Sequence, residues 1–550
     1  MQEKNAETHE IIKIEKKNKI ETILIQICYI ISIIITISIG IASFILTYYF
    51  TNTYSEYLEY MNYRIDNLLL NAIGVVLFLI VIYIVKKLLK KVSNKIFLIV
   101  TTIIIMLLSA IFICTARILP KADQEVMTYL ASEFMKGNYD ALEIDGYLNR
   151  FPFQLGYMYL TELLFRIVRE STIVMQLLNV ICIGGIIILL YKFTNKMFQN
   201  KEVNKIFCLL MLGFLPIVFF STFVYGNIIG LLFALIAIYS ILLYIGKRKM
   251  KYLIIASISI GISILLKKNY QIFFVGIVVL LILDFIEKRD KKIWVGIILS
   301  AICMILFNKI IFLYTEKRTG IEIADGVPMI SYIQMGLKEG SETKMAGWYD
   351  GSVVSIYQEA NGDTAKASER SMNNLEEILN DFSKNPSKIF KVLTEKIATT
   401  WLEPTFQTIW INEPAENFNK IPESMKNNKL LISFFDGKLS IAYIEYNNIY
   451  EIVIFITAGI CLIIGFKRTS IERLSLILMV IGGFFFHLIW ETKCYYVLTF
   501  YILLLPYAAN GIYIVFEKIN DFSHTIKNRS LKIERNESNG RKTKEDKENC

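Results

Sequence analysis

The sequence predicts an all-α polytopic membrane protein with about twelve transmembrane helices and a small extracytoplasmic domain. The first observation is composition, since hydrophobic residues make up 54% of the 550 residues and the mean hydropathy is +0.48. The second is that the charged residues, 20% of the chain, are concentrated in short clusters between long apolar segments. Soluble domains carry about 25% charged residues. The apolar segments are therefore interpreted as membrane helices.

Twelve segments approach the length that a bilayer requires, which is about 20 mainly apolar residues for each helix. The predicted spans are 22–49, 68–85, 96–115, 174–191, 205–222, 227–245, 252–266, 270–286, 293–314, 451–466, 474–490 and 496–516. The spans 252–266 and 270–286 are short, and only residues 267–269 separate them. These two spans therefore also fit a re-entrant pair.

The lysine and arginine clusters predict the orientation of the chain, because basic loops stay on the cytoplasmic side. In the twelve-span scheme the N-terminal segment and alternate loops carry these clusters, and all of them fall on one side. The clusters lie at 4–19, 86–91, 192–205, 247–251, 288–292 and 467–473. We therefore expect a multi-pass plasma-membrane protein with both termini in the cytoplasm.

This topology divides the chain into segments with different expected environments. The segments are 1–95, an N-terminal cytoplasmic segment with two transmembrane helices; 96–314, a transmembrane core that includes the first outer loop, 116–173; 315–450, an extracytoplasmic loop domain; 451–516, the C-terminal transmembrane helices; and 517–550, a polar cytoplasmic tail. The loop domain contains no cysteine, so it is expected to fold without disulfides.

Several classes of function are disfavoured by composition. The net charge of +10 is explained by the basic loops, so no nucleic-acid partner is expected. The three histidines lack the spacing of metal ligands. No G-x-G-x-x-G pattern is present, so a Rossmann-type nucleotide site on the cytoplasmic side is not indicated.

The first outer loop carries the leading candidate for a catalytic group. Asp123 lies where an apolar span meets water, and it stands with Glu125 at the start of an amphipathic helix predicted from the apolar spacing over 126–134. An aspartate in this position also fits a helix N-cap. The location at the water end of a membrane helix favours the catalytic interpretation.

A pattern of residues extends from this aspartate through the loop. Its members are Asp123, Glu125, Tyr129, Ala131, Gly137, Tyr147, Arg150, Pro152, Gln154 and Gly156. The pattern resembles the GT-C glycosyltransferases, especially bacterial family-39-type enzymes, and is similar to protein mannosyltransferases and lipid A aminoarabinose transferases. The resemblance implies that Asp123 acts as base or orienter for the acceptor, with Glu125 as a second catalytic acid. Gln124 separates the two acids here.

Two further stretches resemble the same family, so that the resemblance covers about residues 96–516. One runs from His487 through Trp490-Glu-Thr-Lys before the last span, with Tyr495 standing where relatives usually have arginine. The other is Gly347-Trp-Tyr-Asp-Gly in the outer loop domain, together with the region around Trp401. The substrate-binding residues implied by the resemblance are Gln154, Tyr147, Trp348, Asp350, Glu491 and His487, and Lys493 is implied as a phosphate ligand.

These aromatic and basic residues also have structural interpretations. Lys493 fits an ordinary helix end whose lysine extends to the headgroups. Exposed tryptophans suit stacking against a sugar, but Trp401 and Trp410 fit the core of a small domain better.

Four further basic residues near the predicted outer face are candidates for binding a phosphate. Lys267 and Lys268 depart from the positive-inside rule, and a charge near membrane depth costs a few kcal/mol unless it is paired or reaches the interface. A lipid phosphate would offset that cost, and contact with outer headgroups is the alternative. Arg117 and Arg150 lie near the same face.

These features predict an inverting glycosyltransferase that moves a hexosyl or pentosyl group from a polyprenyl-phosphate donor to a cell-envelope acceptor. With the acidic loop outside, nucleotide sugars are out of reach, so the donor is expected to be lipid-linked. Asp123 would act as general base for the acceptor hydroxyl. No metal cofactor is expected, because basic side chains could stabilise a monophosphate leaving group, although the family has metal-dependent members.

Other functions fit parts of the same evidence. A transporter or flippase of lipid-linked sugars is one alternative, but transporters commonly show internal repeats, and the sequence shows none. A polysaccharide polymerase or ligase, which also has large outer loops, is a second alternative, and a non-catalytic envelope scaffold is a third.

Overall fold

The computed structural model of the chain describes residues 19–50, 61–341, 344–413, 428–435 and 437–522. The first half comprises α1 (Lys19–Ile45), β1 (Leu46–Phe50), β2 (Met61–Ile65), α2 (Leu68–Leu88), α3 (Asn94–Ala116), α4 (Asp123–Lys136), α5 (Tyr147–Arg150), α6 (Leu155–Ile167), α7 (Thr172–Phe198), α8 (Lys201–Gly213), α9 (Leu215–Phe219), α10 (Asn227–Lys247) and α11 (Met250–Leu266). The second half comprises α12 (Gln271–Lys288), α13 (Lys292–Thr319), α14 (Met329–Gly336), α15 (Ser352–Glu359), α16 (Thr364–Lys384), α17 (Pro386–Trp401), α18 (Thr408–Asn412), α19 (Lys429–Phe435), α20 (Lys438–Gly465), α21 (Ile471–Ile489) and α22 (Cys494–Phe522).

The helices confirm the predicted fold class, an all-α polytopic membrane protein. Ten of the described helices are long and apolar enough to cross a membrane. Lys201–Gly213 and Leu215–Thr222, which are bent by 54° relative to each other, fit either an eleventh, broken span or a re-entrant loop. The remaining predicted span corresponds to α11, which is apolar but only 17 residues long. Each of the twelve predicted spans therefore coincides with a helix or bent helix pair in the described chain.

The first predicted span, 22–49, is wrong at its C-terminal end. The helix stops at Ile45, and residues 46–50 form a strand that pairs antiparallel with β2. The sequence Leu-Thr-Tyr-Tyr-Phe is rich in β-branched and aromatic residues, which favour strands. The hydroxyl of Thr47 donates to Asp66 Oδ2 at 2.5 Å, and the Tyr48 N–H donates to the carbonyl of Leu402 at 2.9 Å. Hydropathy alone could not separate this apolar strand from the preceding helix.

The span predicted at 451–466 begins earlier in the structure, because α20 starts at Lys438. Its first turns carry Asn447, Asn448 and Glu451, which lowered the apparent hydropathy of the segment. All three side chains are buried against neighbouring helices. The Asn448 amide donates to Asp66 at 3.0 Å, and Glu451 accepts from the Ser43 hydroxyl at 2.7 Å. Polar contacts inside the bundle thus provide partners for the Asn448 amide and for one oxygen of Glu451, which would be costly in lipid without them.

The two short spans on either side of residue 267 do not pack as a simple hairpin. Helix α11 packs mainly against α10 and α13, and α12 packs against α21. A single 3₁₀ turn, Lys268–Tyr270, joins α11 to α12. The lysines predicted to be at membrane depth therefore lie at a break between helices of different packing groups.

An ion pair holds the amphipathic helix of the first outer loop on the bundle. Glu162 of α6 is 3% exposed and accepts two bonds from Arg318 of α13, at 2.7 and 2.8 Å. The same guanidinium donates to the carbonyl of Phe134 in α4 at 2.6 Å. Bidentate arginine–carboxylate pairs fix both partners in orientation. This contact therefore fixes α4, whose first residue is Asp123, relative to two other helices.

The described part of the predicted extracytoplasmic loop domain, which we call the outer loop domain, contains α14 to α17, and a small apolar cluster lies among α14, α15 and α16. The buried members of the cluster are Val327, Met335, Val353, Ile356, Tyr357, Ala360 and Ala367. The domain also supports the segment before α22, because Lys396 donates to the carbonyls of Gly336 and Trp490, and the Thr492 N–H donates to the carbonyl of Gly347 at 3.0 Å. Burial lowers the pKa of Lys396 to about 7. The loop domain and the last two membrane helices are thus joined at residues 490–492.

Candidate active site

One large cavity lies where the breaks between membrane helices meet the outer loop domain. Its empty space is about 1830 Å³ with the opening included. The lining comes from residues within the segments 121–124, 147–154, 223–225, 267–272, 327–354 and 486–496, with Trp410. The six segments are distant from one another in sequence, and all except 327–354 lie at or between the ends of helices of the bundle. The cavity therefore contains polar side chains next to the membrane part of the fold.

Asp123 lies at the edge of this cavity as the first residue of α4. The N-cap position belongs to Ala122, whose side chain caps nothing and whose φ of 53° and ψ of −138° are unusual for a residue other than glycine. The Asp123 carboxylate accepts a hydrogen bond from the hydroxyl of Tyr225 at 3.0 Å. It also stands at the positive end of the α4 dipole, which stabilises a negative charge. The carboxylate is thus directed toward the cavity and does not serve as the N-cap.

Tyr225 is the centre of the hydrogen-bond network around this carboxylate. The amide of Gln154 donates to the Tyr225 hydroxyl at 2.5 Å, and the Tyr147 hydroxyl lies 3.3 Å from it. Burial raises the pKa of both tyrosines well above the usual value, so both keep their protons. The structure therefore brings the predicted residues Gln154 and Tyr147 together with Asp123 through a tyrosine that the sequence analysis missed.

The glutamine that separates the two acids of the loop has a structural explanation. Gln124 is 3% exposed, and its side-chain oxygen accepts a hydrogen bond from the Val224 N–H at 2.9 Å. Helix α4 and the segment that carries Tyr225 are therefore joined at two adjacent positions. Without this contact the buried Val224 N–H would lack a partner, at a cost of about 1–3 kcal/mol.

Basic side chains outnumber acidic ones around the cavity. The basic residues that line it are Lys121, Arg150, Lys267, Lys268, Lys344 and Lys493, and the acidic ones are Asp123 and Glu491. The Nε atom of Arg150 is buried and has no hydrogen-bond partner in the described chain. A buried donor without a partner costs free energy. An excess of positive charge and an unsatisfied guanidinium donor fit an anionic ligand.

Lys267 lies closest to the tyrosine network. Its ammonium is 3.6 Å from the centroid of the Tyr225 ring, and the side chain is buried. Burial lowers the pKa of Lys267 to about 7, and the nearby carboxylates of Asp123 and Glu491 oppose that shift. The ammonium of Lys268 lies 5.2 Å from the Phe153 ring. The two lysines thus point to different parts of the same cavity.

The segment between α21 and α22 forms the opposite wall. Glu491 accepts a hydrogen bond from the Tyr496 hydroxyl at 3.2 Å, and burial raises the pKa of Glu491 to about 7. Tyr495 stands where the resemblance has arginine, and its ring packs 5.0 Å from the Phe223 ring. Trp490 stacks on Tyr332 of the outer domain, with ring centroids 5.5 Å apart. This wall is mainly aromatic, with Lys493 as its basic residue.

Several predicted site residues lie outside the lining of the cavity. Glu125 and Arg117 are not among the lining residues. Trp348 is 1% exposed and its indole N–H donates to Thr399 at 3.3 Å, so it belongs to the interior of the protein. Asp350 pairs with Lys338 at 2.8 Å. The roles predicted for these residues remain predictions, but their side chains are engaged elsewhere or lie away from the cavity.

His487 lies behind the wall formed by the segment between α21 and α22 and is not among the lining residues. It is 2% exposed, its Nδ1 lies 3.4 Å from the Glu491 carbonyl, and its ring stacks on Tyr496 at 5.6 Å. Trp401 is also buried, but its ring packs against Phe455 and Phe484 of the membrane helices α20 and α21 and not in the core of a small domain. Trp410 is both buried and part of the lining.

Two lining residues could have been found from sequence. Lys121 stands two positions before Asp123, and its ammonium lies 4.0 Å from the Trp410 ring centroid. Tyr225 precedes Gly226 in the four-residue break between two predicted spans. A cation beside the outer acid and an aromatic residue at a helix break were both visible signals. Among the described residues, no three or more His, Cys, Asp or Glu side chains group as a metal site.

The predicted resemblance is confirmed by comparison with known families. Residues 154–318 match the family described as dolichyl-phosphate-mannose-protein mannosyltransferase. This match supports the predicted resemblance to the membrane glycosyltransferases of the GT-C superfamily. The matched segment includes Gln154, Tyr225, Lys267 and Lys268 and ends before the outer loop domain. No curated protein matches the sequence.

Two solved structures are similar to the chain. ArnT from Cupriavidus metallidurans bound to undecaprenyl phosphate is 12% identical, with 75% of this chain and 77% of that chain covered and a TM-score of 0.33. ArnT from the same organism in the apo state is 13% identical over the same shares, with a TM-score of 0.32. Because both TM-scores are low, the role of each residue is argued from contacts within this chain.

Substitution of Gly226 tests whether the close approach of two backbone segments positions the site. Gly226 has a φ of +81°, and a Cβ there would collide with the backbone oxygen of Leu266. We expect Gly226→Ala to separate Tyr225 from Lys267 and to destabilise the protein by about 2–5 kcal/mol, from backbone strain and overpacking. Thermal unfolding of the purified protein measures this effect.

Gly351→Ala is the matched control for this prediction. Gly351 has a φ of +83°, but no other atom lies within 4 Å of the position that a Cβ would occupy, so only backbone strain of about 1–2 kcal/mol is expected. Equal destabilisation by the two substitutions would contradict the importance of the contact with Leu266.

Proposed function

We propose that the chain is an inverting glycosyltransferase that transfers a sugar from a polyprenyl-phosphate donor to a cell-envelope acceptor on the outer face of the membrane. The single observation that carries this proposal is the juxtaposition in one cavity of Asp123, in its tyrosine network, with six basic side chains. A general base and a phosphate site are the two elements that this reaction requires.

The basic side chains would bind the phosphate of the donor. Lys267 and Arg150 are favoured, since Lys267 is buried with a lowered pKa and Arg150 has a buried donor without a partner. A phosphate next to Lys267 would favour its charged form. Lys268 and Lys493 lie on the same lining and would extend the positive surface.

Asp123 would remove the proton from the acceptor hydroxyl. The acceptor oxygen would then attack the anomeric carbon as the bond from that carbon to the phosphate oxygen breaks. The lipid phosphate would leave with the bonding electron pair, and the basic residues would stabilise its charge. One direct displacement of this kind inverts the anomeric centre.

The second carboxylate of the cavity would contact the sugar. Glu491 has a pKa of about 7, so near neutral pH it can either donate or accept a hydrogen bond. The name of the matched family refers to a sugar carried on a polyprenyl-type phosphate, which agrees with the proposed donor class.

A transporter or flippase of lipid-linked sugars is the alternative from a different class, followed by a polysaccharide polymerase or ligase. A transporter needs the basic cavity but has no need of a general base. A variant that lacks only the carboxylate of Asp123 therefore distinguishes the two classes, because only the glycosyltransferase should lose its activity.

We expect Asp123→Asn to reduce glycosyl transfer by at least about 100-fold, because a general base typically contributes that much. The asparagine keeps the size of the side chain and can still accept a hydrogen bond from Tyr225. The measurement is the sugar content of the cell envelope in a deletion strain that expresses each variant at equal level.

Asp140→Asn is the matched control, since Asp140 is an exposed acid of the same loop outside the cavity lining. It should restore the envelope sugar as the parent chain does. Full restoration by Asp123→Asn would reject Asp123 as the base and would favour the transporter.

Donor affinity should fall as the pH rises from 6 to 8.5. Above about pH 7 Lys267 loses its proton and Glu491 loses its own, and both changes make the cavity less positive. A phosphodiester donor keeps one charge over this range, so we expect a decrease of about tenfold, which corresponds to a shift of about one pKa unit on binding. Binding of a polyprenyl monophosphoryl hexose to the purified protein measures it.

Lys267→Gln is the variant that tests this assignment. It should bind the same donor more weakly at pH 6 and show a flatter pH profile. An unchanged slope in Lys267→Gln, or affinity that increases with pH in the parent chain, would be incompatible with the role given to Lys267.

The outer-face orientation has its own test. In a background without Cys114 and Cys550, we expect Ser355→Cys in the loop domain to react with a membrane-impermeant maleimide in intact cells. Lys249→Cys, between α10 and α11, should react only after permeabilisation. The reverse pattern would place the cavity on the cytoplasmic side and remove the argument for a lipid-linked donor.

A further inference from the structure

A second cavity lies at the other end of the same helix bundle. Its empty space is about 1560 Å³ with the opening included. Its lining residues are mainly basic or polar. They come from the C-terminal parts of α7 and α10, the start of α8 and the connection between α20 and α21.

The two cavities are separated by the length of the membrane helices. Helix α10 begins two residues after Tyr225, which lines the first cavity, and reaches the second at Leu243. Its 21 residues extend over about 30 Å at 1.5 Å per residue. Helix α21 runs in the opposite direction. It starts at the second cavity, with Glu472 and Arg473, and ends at the first cavity, just before Trp490. The second cavity is therefore distinct from the candidate active site.

The charge of this cavity is strongly unbalanced. Five basic side chains line it, from Lys192, Lys196, Lys201, Arg468 and Arg473, against one carboxylate, from Glu472. Within the described residues none of the five is in an ion pair, whereas other basic residues near this side are paired, as Arg248 is with Asp284 at 2.5 Å and Lys86 is with Glu202 at 3.4 Å. The positive-inside rule explains basic residues on one side of a membrane, but not their convergence on one concavity.

One of the five basic side chains is held in place before any ligand binds. The Nε of Arg473 donates to the carbonyl of Met197 at 3.1 Å, and its Nη1 donates to the carbonyl of Arg468 at 3.3 Å. Its guanidinium carbon lies 5.4 Å from the ring centroid of Phe198. A fixed guanidinium loses little conformational freedom when it binds an anion. The cavity thus combines a pre-organised arginine with four basic side chains that lack ionic partners among the described residues.

We propose that this second cavity binds the phosphate group of an anionic phospholipid in the adjacent leaflet. Phosphate is the anion that arginine and lysine recognise best at a membrane surface. The cavity lies at the ends of membrane helices, which is the level of the phospholipid phosphates, so a lipid reaches it at high local concentration. The tyrosines Tyr191 and Tyr239 on its wall suit the same interfacial level.

The test compares lipid binding by the full-length protein in nanodiscs of phosphatidylcholine with and without phosphatidylglycerol. Native mass spectrometry of the released protein measures how many phosphatidylglycerol molecules remain bound. We expect Lys192→Gln/Lys196→Gln to weaken phosphatidylglycerol binding by about tenfold or more, since each basic residue adds to the attraction. Lys249→Gln/Lys251→Gln removes two charges from the same side outside the lining and should bind as the parent chain does.

A third variant and a soluble competitor complete the test. Arg468→Gln removes a different exposed cation and should reproduce the weaker binding if the double variant folds poorly. Inorganic phosphate at millimolar concentration should not displace the lipid. Equal losses of phosphatidylglycerol binding in the lining and control variants would mean that the lipid is attracted to the basic surface as a whole, and this result would overturn the proposal. Displacement by inorganic phosphate would overturn the lipid as the source of the phosphate group.

Discussion

The attachment of α4 to residues 224–225 is the contact on which the candidate active site depends. The Tyr225 hydroxyl donates to Asp123, and the Val224 N–H donates to Gln124, so two adjacent residues of α4 are joined to one short break between membrane helices. That same break approaches the end of α11 at Gly226, which brings Lys267 against the Tyr225 ring. The carboxylate and the nearest cation therefore meet because both contact the same four-residue segment.

The basic cavity is costly for the protein without a ligand. Six basic side chains share it with two carboxylates, Lys267 has a pKa lowered to about 7, and Arg150 has a buried donor without a partner. Such features persist where the surrounding structure enforces them and a ligand relieves them. The enforcing contacts come from residues outside the lining. The ion pair of Glu162 with Arg318 holds α4, and Lys396 of the outer loop domain donates to the carbonyl of the lining residue Trp490.

The sequence predicted the charged part of the site better than its aromatic part. Asp123, Arg150, Lys267, Lys268, Glu491 and Lys493 all line the cavity, because an ionised group in a membrane protein is confined to helix ends, where such cavities form. An aromatic residue carries no comparable restriction. Trp348 is buried in the interior, whereas Trp410 reaches the lining. Tyr225, the centre of the network, had no charge to distinguish it.

The sequence by itself determined that this chain is a multi-pass helical membrane protein, approximately where its apolar helices lie, and that its ionisable residues gather at particular breaks. It could do so because the bilayer imposes helix length and excludes unpaired charge, and both constraints act locally along the chain. Only the tertiary structure decided which breaks meet, that residues 46–50 leave the first helix as a strand, and that Glu125 and Asp350 lie outside the cavity lining. Those outcomes depend on contacts between residues hundreds of positions apart, such as the hydrogen bond from Asn448 to Asp66, and no local pattern encodes them.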